Sequence, residues 1–199
     1  MCMKSQATLP SSAHASRPWR IHEIAADFRL EDVWALPVRG EESDFPALVR
    51  GVAAGDPSQG PWPARALWTI RSKVGELLGW DGAEAGLGER VPTLRQRLPA
   101  DLLDAPGPDF DAFPFTSLYM TDDEFAAEIA NQTMHGVLHL GWVAEGSGGG
   151  YRGQMAIYVR PNGLLGTAYM AAIKPFRHLV VYPQMLRTME RRWHEWQDR

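Results

Sequence analysis

Cysteine is almost missing from this 199-residue chain: Cys2 stands alone, so no internal disulfide can form, and the chain fits a reducing, cytoplasmic compartment. A secretory leader is missing too, because the opening MCMKSQATLPSSAHASR has no uninterrupted apolar run. The most apolar long segment, residues 163–182, carries Lys174, Arg177 and His178 near its middle. Each charge there costs about 2.5–3.5 kcal/mol on insertion scales, which argues against a membrane span. Basic residues are not in excess, with 20 Lys+Arg against 24 Asp+Glu, and this argues against general nucleic-acid binding, which draws on phosphate neutralisation. The motifs G-x-S-x-G, G-x-G-x-x-G, the P-loop and H-E-x-x-H are also lacking, so the common hydrolase, dinucleotide and zinc-protease signatures do not apply.

What is present suits an ordinary domain, 45% hydrophobic and 22% charged, long enough to enclose a core without a metal or disulfide staple. Residues 1–17 are rich in Ser, Ala and Pro and read as a disordered leader, leaving 18–199 as one domain. Charge is unevenly placed. Residues 98–151 hold nine acidic side chains and no Lys or Arg, whereas 152–199 hold eight basic against three acidic. Two arrangements answer to this: the halves lie against each other, or a basic C-terminal face meets an anionic ligand or lipid surface.

Along the chain, residues 30–36 read as a short helix closed by Pro37. A second helix begins at Asp44, with Phe45, Leu48, Val49 and Val52 at helical spacing. Pro63 starts a third, whose stripe is Leu67, Ile70, Val74, Leu77 and Leu78. Residues 81–114 form a long Gly/Pro/Asp-rich connection with one helical turn near 93–98. Four strands follow, at 116–120, 124–130, 134–144 and 151–160, joined by the turns TDD, NQT and EGSGGG, and such short connections make them an antiparallel meander. Phe125, Ala127 and Ile129 alternate with Glu124, Ala126 and Glu128. In the next strand both faces are apolar, so it is covered on both sides or faces a cavity. Residues 163–197 then form a long helix in which Pro175 and Pro183 impose a kink or break. The predicted class is α+β, with helices against one face of the sheet.

The runs AEIANQTMHGVLHLGW (127–142) and YRGQMAIYVRPNGLLGTAYMAAIKPFRHLVVYPQMLRTMERRW (151–193), with ALWTIRSKVGELLGW and LRQRLPADLL before them, resemble the bacterial domain-of-unknown-function family 2867. The pattern NGLLGxxY…KPFRH, here 162–178, is the specific part. That family is similar in turn to the helix-grip, START-like (SRPBCC-type) proteins, and this likeness implies a curved antiparallel sheet wrapped on a long C-terminal helix around an apolar cavity. The resemblance implies a shape and no reaction.

Of the six histidines, His135 and His139 form the close pair. On a strand, four residues span about 13 Å, too far for both rings to hold one ion, so no metal is expected and no cofactor is implied. A catalytic reading pairs His135 or His139 with Glu128 across the hairpin as a general base; the competing reading is a cross-strand polar pair on the solvent face. The expected ligand is a hydrophobic or amphipathic small molecule between sheet and C-terminal helix, lined by His139, Trp142, Gln154, Tyr158, Tyr169, Phe176 and Arg177. Arg177 and His178 beside Lys174 either hold an anionic head group or pair with acidic turns. A third alternative is a non-catalytic interaction module that docks through exposed Trp193 and Trp196.

Overall fold

The computed structural model describes residues 8–56, 87, 91–131, 133–146 and 149–198, with the side chains of Leu165 and Tyr169 left aside. Its elements in chain order are α1 (Ser12–Ala15), α2 (Ile21–Ile24), β1 (Arg29–Gly40), a 3-10 turn (Glu42–Asp44), α3 (Phe45–Ala53), a second 3-10 turn (Leu94–Arg97), α4 (Ala100–Leu103), β2 (Thr116–Met120), β3 (Glu124–Ala130), β4 (Met134–Glu145), β5 (Gly150–Pro161), α5 (Gly163–Phe176), a π turn (Arg177–Val181) and α6 (Tyr182–Gln197). The five strands form one antiparallel sheet in the order β1-β5-β4-β3-β2. The four predicted strands are present within a residue at each end. Asn131 closes the β3–β4 hairpin, its Oδ1 accepting from the Thr133 amide and hydroxyl at 2.9 and 2.8 Å and from the Met134 amide at 3.1 Å, a side-chain mimic of a backbone turn. The β4–β5 turn needs its glycines, since Gly146 and Gly149 have φ of +46° and +77°.

The fifth strand corrects one expectation. Segment 30–36, read as a helix, is the middle of β1, because its alternation is of period two: Val33 faces one side while Trp34, Leu36 and Val38 face the other. Pro37 does not end it. β1 is an edge strand, and Pro37 falls within the register shift between Ala35 and Arg39, where a missing N–H is tolerated. The helix expected from Pro63 lies outside the described residues.

Both faces of the sheet are covered, not one. On the N-terminal face Trp19, Ile21, Ile24 and Phe28 pack with Leu94, Leu98 and Leu102 onto Val137, Ala156 and Tyr158. Opposite, α3 and α6 bring Phe45, Leu48, Val49, Tyr182, Leu186 and Trp193 onto Trp34, Leu140, Trp142 and Met155. Each such large side chain, fully buried, contributes about 1.5–3 kcal/mol. From Thr8 onward the predicted leader is part of this packing: Leu9 N donates to Val33 O at 2.8 Å, and His14 is fully buried. Leader-like composition gives no hint that His14 has partners waiting on β5, Gln154 and Tyr158. Trp193 is likewise buried, with its indole N–H on Arg39 O at 2.9 Å, and only Trp196 is exposed. The C-terminal tryptophans therefore present no paired docking surface.

The helical course from Gly163 to Gln197 is continuous but passes through the π turn after Pro175. Gly163 has φ +69°, and a Cβ on Gly166 would stand 2.0 Å from Thr133 O, so these two glycines let the chain leave β5 and begin α5 tight against the hairpin.

Candidate functional site

Alternation on β3 and β4 aims Glu124 and Glu128, with His135 and His139, at the N-terminal face. There they meet in two pairs. His135 Nε2 lies 2.8 Å from Glu128 Oε2, and His139 Nε2 lies 3.0 Å from Glu124 Oε2. Glu128 also accepts from the Leu94 amide at 3.0 Å and from the Thr93 hydroxyl, while Glu124 accepts from the Arg20 amide at 2.9 Å and the Tyr119 hydroxyl at 3.1 Å. The predicted Glu128–His135 meeting occurs, but not on a solvent face: both side chains are 0% exposed. The carboxylates satisfy the amides of segments that wrap this face, and that is what draws them inward.

His14 extends the network, with Nδ1 2.8 Å from Gln154 Oε1 and Nε2 2.9 Å from the Tyr158 hydroxyl, which in turn lies 3.0 Å from His22 Nδ1. Its ring stands edge-on to His139 at 4.9 Å. Burial, the neighbouring His139 ring and His22 together push His14 down to about 3, with the Gln154 hydrogen bond acting the other way. Burial likewise lowers His139, against the opposing pull of Glu124. Both rings are held neutral at physiological pH.

The expected ligand-lining residues do not converge. His139, Gln154 and Tyr158 meet on the N-terminal face, while Trp142 belongs to the opposite core, stacked on Tyr151 and near Trp193. Phe176 and Arg177 lie on the C-terminal helical course, half-buried, and the Tyr169 side chain lies outside what is described. Two open cavities occur elsewhere. One of about 350 Å³ has Val91, Pro92, Arg160, Asn162 and Gly163 in its wall, and one of about 480 Å³ has Gln184, Arg187, Thr188, Glu190 and Arg191. Among the described residues no group of three or more His, Cys, Asp or Glu side chains is placed to hold a metal ion, and no helix is long and apolar enough to cross a membrane.

A second polar cluster sits on the other face, where two backbone irregularities meet. The register shift between Leu30 and Asp32 makes Glu31 a bulge residue, so that two successive carboxylates, Glu31 and Asp32, both face the C-terminal helical course. Opposite them, the end of α5 and the π turn present Lys174, Arg177 and His178. Asp32 receives His178 Nε2 at 2.7 Å and the Tyr182 hydroxyl at 3.1 Å, and Arg177 Nη2 lies 3.2 Å away. Glu31 meets Lys174 at 3.7 Å and also pairs with Arg29. Trp34 packs against His178 and Tyr182, with ring centroids 5.5 and 4.8 Å apart. Burial raises the Tyr182 hydroxyl, so it stays a proton donor to Asp32. The Asp32 side chain is 2% exposed, yet that of His178 is 28% exposed. The Arg177 guanidinium is mostly covered, and its Nε and Nη2 have no hydrogen-bond acceptor.

A family model described as a protein of unknown function, DUF2867, matches residues 24–184. The chain belongs to the DUF2867 family. No curated protein and no solved structure matches it. The DUF2867 segment contains the whole second cluster, from Arg29 to Tyr182, whereas His14 and His22 of the first lie before it.

Sequence reasoning placed Lys174, Arg177 and His178 together but missed their partners Glu31, Asp32, Trp34 and Tyr182. Reading 30–36 as a helix hid the first three. The available signal was the pair Glu31-Asp32 at the head of an otherwise apolar period-two run.

Four of the eight basic residues after Tyr151 meet acids, mostly from an unexpected side. Arg152 meets the acidic meander, at Glu145, but Arg160, Lys174 and Arg177 pair with Asp27, Glu31 and Asp32 ahead of it.

Proposed function

We propose that this DUF2867 protein binds an amphipathic anion of the fatty-carboxylate class where the β1 bulge faces the π turn. Arg177 carries the reading. A mostly covered guanidinium whose Nε lacks an acceptor, while Nη2 only faces Asp32 at 3.2 Å, is costly, by about 1–3 kcal/mol for an orphaned group, unless something else accepts from it. A carboxylate offers the bidentate geometry that a guanidinium fork fits. Charge supports the same choice: Arg29, Lys174 and Arg177 face two acids, Glu31 and Asp32, which leaves one positive charge uncompensated. The apolar remainder of the ligand has Leu179, 77% exposed on the same π turn, and half-buried Phe176 beside it. In this reading the C-terminal helical course grips the ligand against the sheet, the arrangement that the helix-grip likeness implies, with Pro175 bending the course around it.

Calorimetric titration of the full chain with sodium decanoate and with decanol tests this. Decanoate is expected to bind, decanol to bind at least tenfold more weakly, and Arg177→Gln to remove the difference. No decanoate binding, or equal affinity in the variant, overturns the reading.

A further inference from the structure

We propose that Asp32 and His178 form a hydrolytic dyad that cleaves an ester of the same amphipathic class; this rests on the ligand reading above and deepens it. A general base has to be oriented, charge-supported and reachable. His178 is oriented, because Asp32 Oδ1 engages Nε2 at 2.7 Å and the rings of Trp34 and Tyr182 flank it at 5.5 and 5.6 Å. With the Nε2 proton committed to the carboxylate, Nδ1 is the ring nitrogen left to accept a proton. Asp32 is itself fixed, through the Tyr182 hydroxyl at 3.1 Å. Reach separates this pair from the other two histidine–carboxylate pairs: the His135 and His139 side chains are 0% exposed, and that of His178 is 28% exposed. Arg177, the residue before it on the turn, places a guanidinium charge beside the pair where an oxyanion would develop.

Among the described residues no serine, threonine or cysteine is hydrogen-bonded to His178, so water is the nucleophile. Nδ1 takes a proton from water as its oxygen bonds to the ester carbon, and the carbonyl electron pair moves onto the oxygen facing Arg177. Collapse of that intermediate breaks the bond to the alkoxy oxygen, which receives the proton from Nδ1. The products are an alcohol and a carboxylic acid, whose ionised form is the ligand class proposed above. His178 is the catalytic residue, and Asp32 acts through it as a positioning residue.

The test is hydrolysis of p-nitrophenyl decanoate by the purified full chain, run beside decanoate calorimetry. We expect His178→Gln to lose ~10²–10⁴-fold in kcat while keeping decanoate affinity and melting temperature, and Asp32→Asn to lower kcat with KM held. Unchanged turnover in His178→Gln overturns the dyad, as does wild-type protein that binds decanoate but hydrolyses no faster than buffer. Should decanoate fail to bind while p-nitrophenyl acetate is cleaved with dependence on His178, the dyad stands and the ligand reading falls.

Discussion

Histidine meets carboxylate on both faces of one sheet, and the two settings differ in access to water. On the N-terminal face His135 with Glu128 and His139 with Glu124 are closed over by Trp19, Phe28 and the 91–98 segment, and every carboxylate oxygen has a protein donor. On the other face the carboxylate is dry, the imidazole reaches solvent, and the mostly covered Arg177 beside it has an Nε without an acceptor. The same residue types therefore do different work. A closed network ties segments together, and mutual hydrogen bonds meet most of its cost of desolvation, although Nδ1 of His135 and of His139 has no partner. A half-open one leaves capacity for a ligand.

Removing a carboxylate from the closed network should have the largest effect. Glu128→Ala strands buried His135 and the Leu94 amide, and urea denaturation should show a loss of about 3–5 kcal/mol, the range for breaking a buried pair. A loss below about 1 kcal/mol would mean that the 91–98 segment is not anchored there.

Acid should loosen the same network by a somewhat smaller amount. Folding depresses His14 to about 3 and also depresses His139, so the unfolded chain, titrating near 6.5, binds more protons than the native one between those values. Stability is thus full above about pH 6.5 and declines as pH falls. For His14 alone the loss at pH 5 is about 2 kcal/mol, at ~1.4 kcal/mol per pH unit. Denaturation at pH 7.5 and 5 should show it, and His14→Gln should flatten the slope.

Asp32→Ala, on the half-open side, should cost about 1–3 kcal/mol, the range for orphaned groups, because it strands the buried Tyr182 hydroxyl and the covered Arg177 while water reaches His178. The smallest effect belongs to the surface: Glu145→Gln, which removes the partner of Arg39 and Arg152, should change stability by less than about 1 kcal/mol. A ranking with Asp32 above Glu128 would reverse the comparison.

Much of this arrangement was legible in the sequence. The meander was, because its turns carry unmistakable chemistry at Asn131 and at Gly146 and Gly149, and so was the facing of Glu124 and Glu128 against Phe125 and Ala127. Residues 163–197 were legible as helical, but a π turn leaves no periodic trace, so the aim of Arg177 and His178 at Asp32 was not. β1 was missed because an internal proline and apolar residues on both faces imitate a short helix. His14 was missed because a lone histidine in a Ser/Ala-rich run has no local reason to be buried; its reasons, Gln154 and Tyr158, lie 140 and 144 residues away.

The central claim is that the half-open pair works on a ligand and the closed pairs hold the fold. It is tested most directly by measuring p-nitrophenyl decanoate turnover and melting temperature side by side in His178→Gln and His139→Gln. The account predicts that His178→Gln loses turnover and keeps its melting temperature, while His139→Gln melts earlier and, where still folded, turns over at the wild-type rate. Turnover lost in His139→Gln and retained in His178→Gln would contradict it.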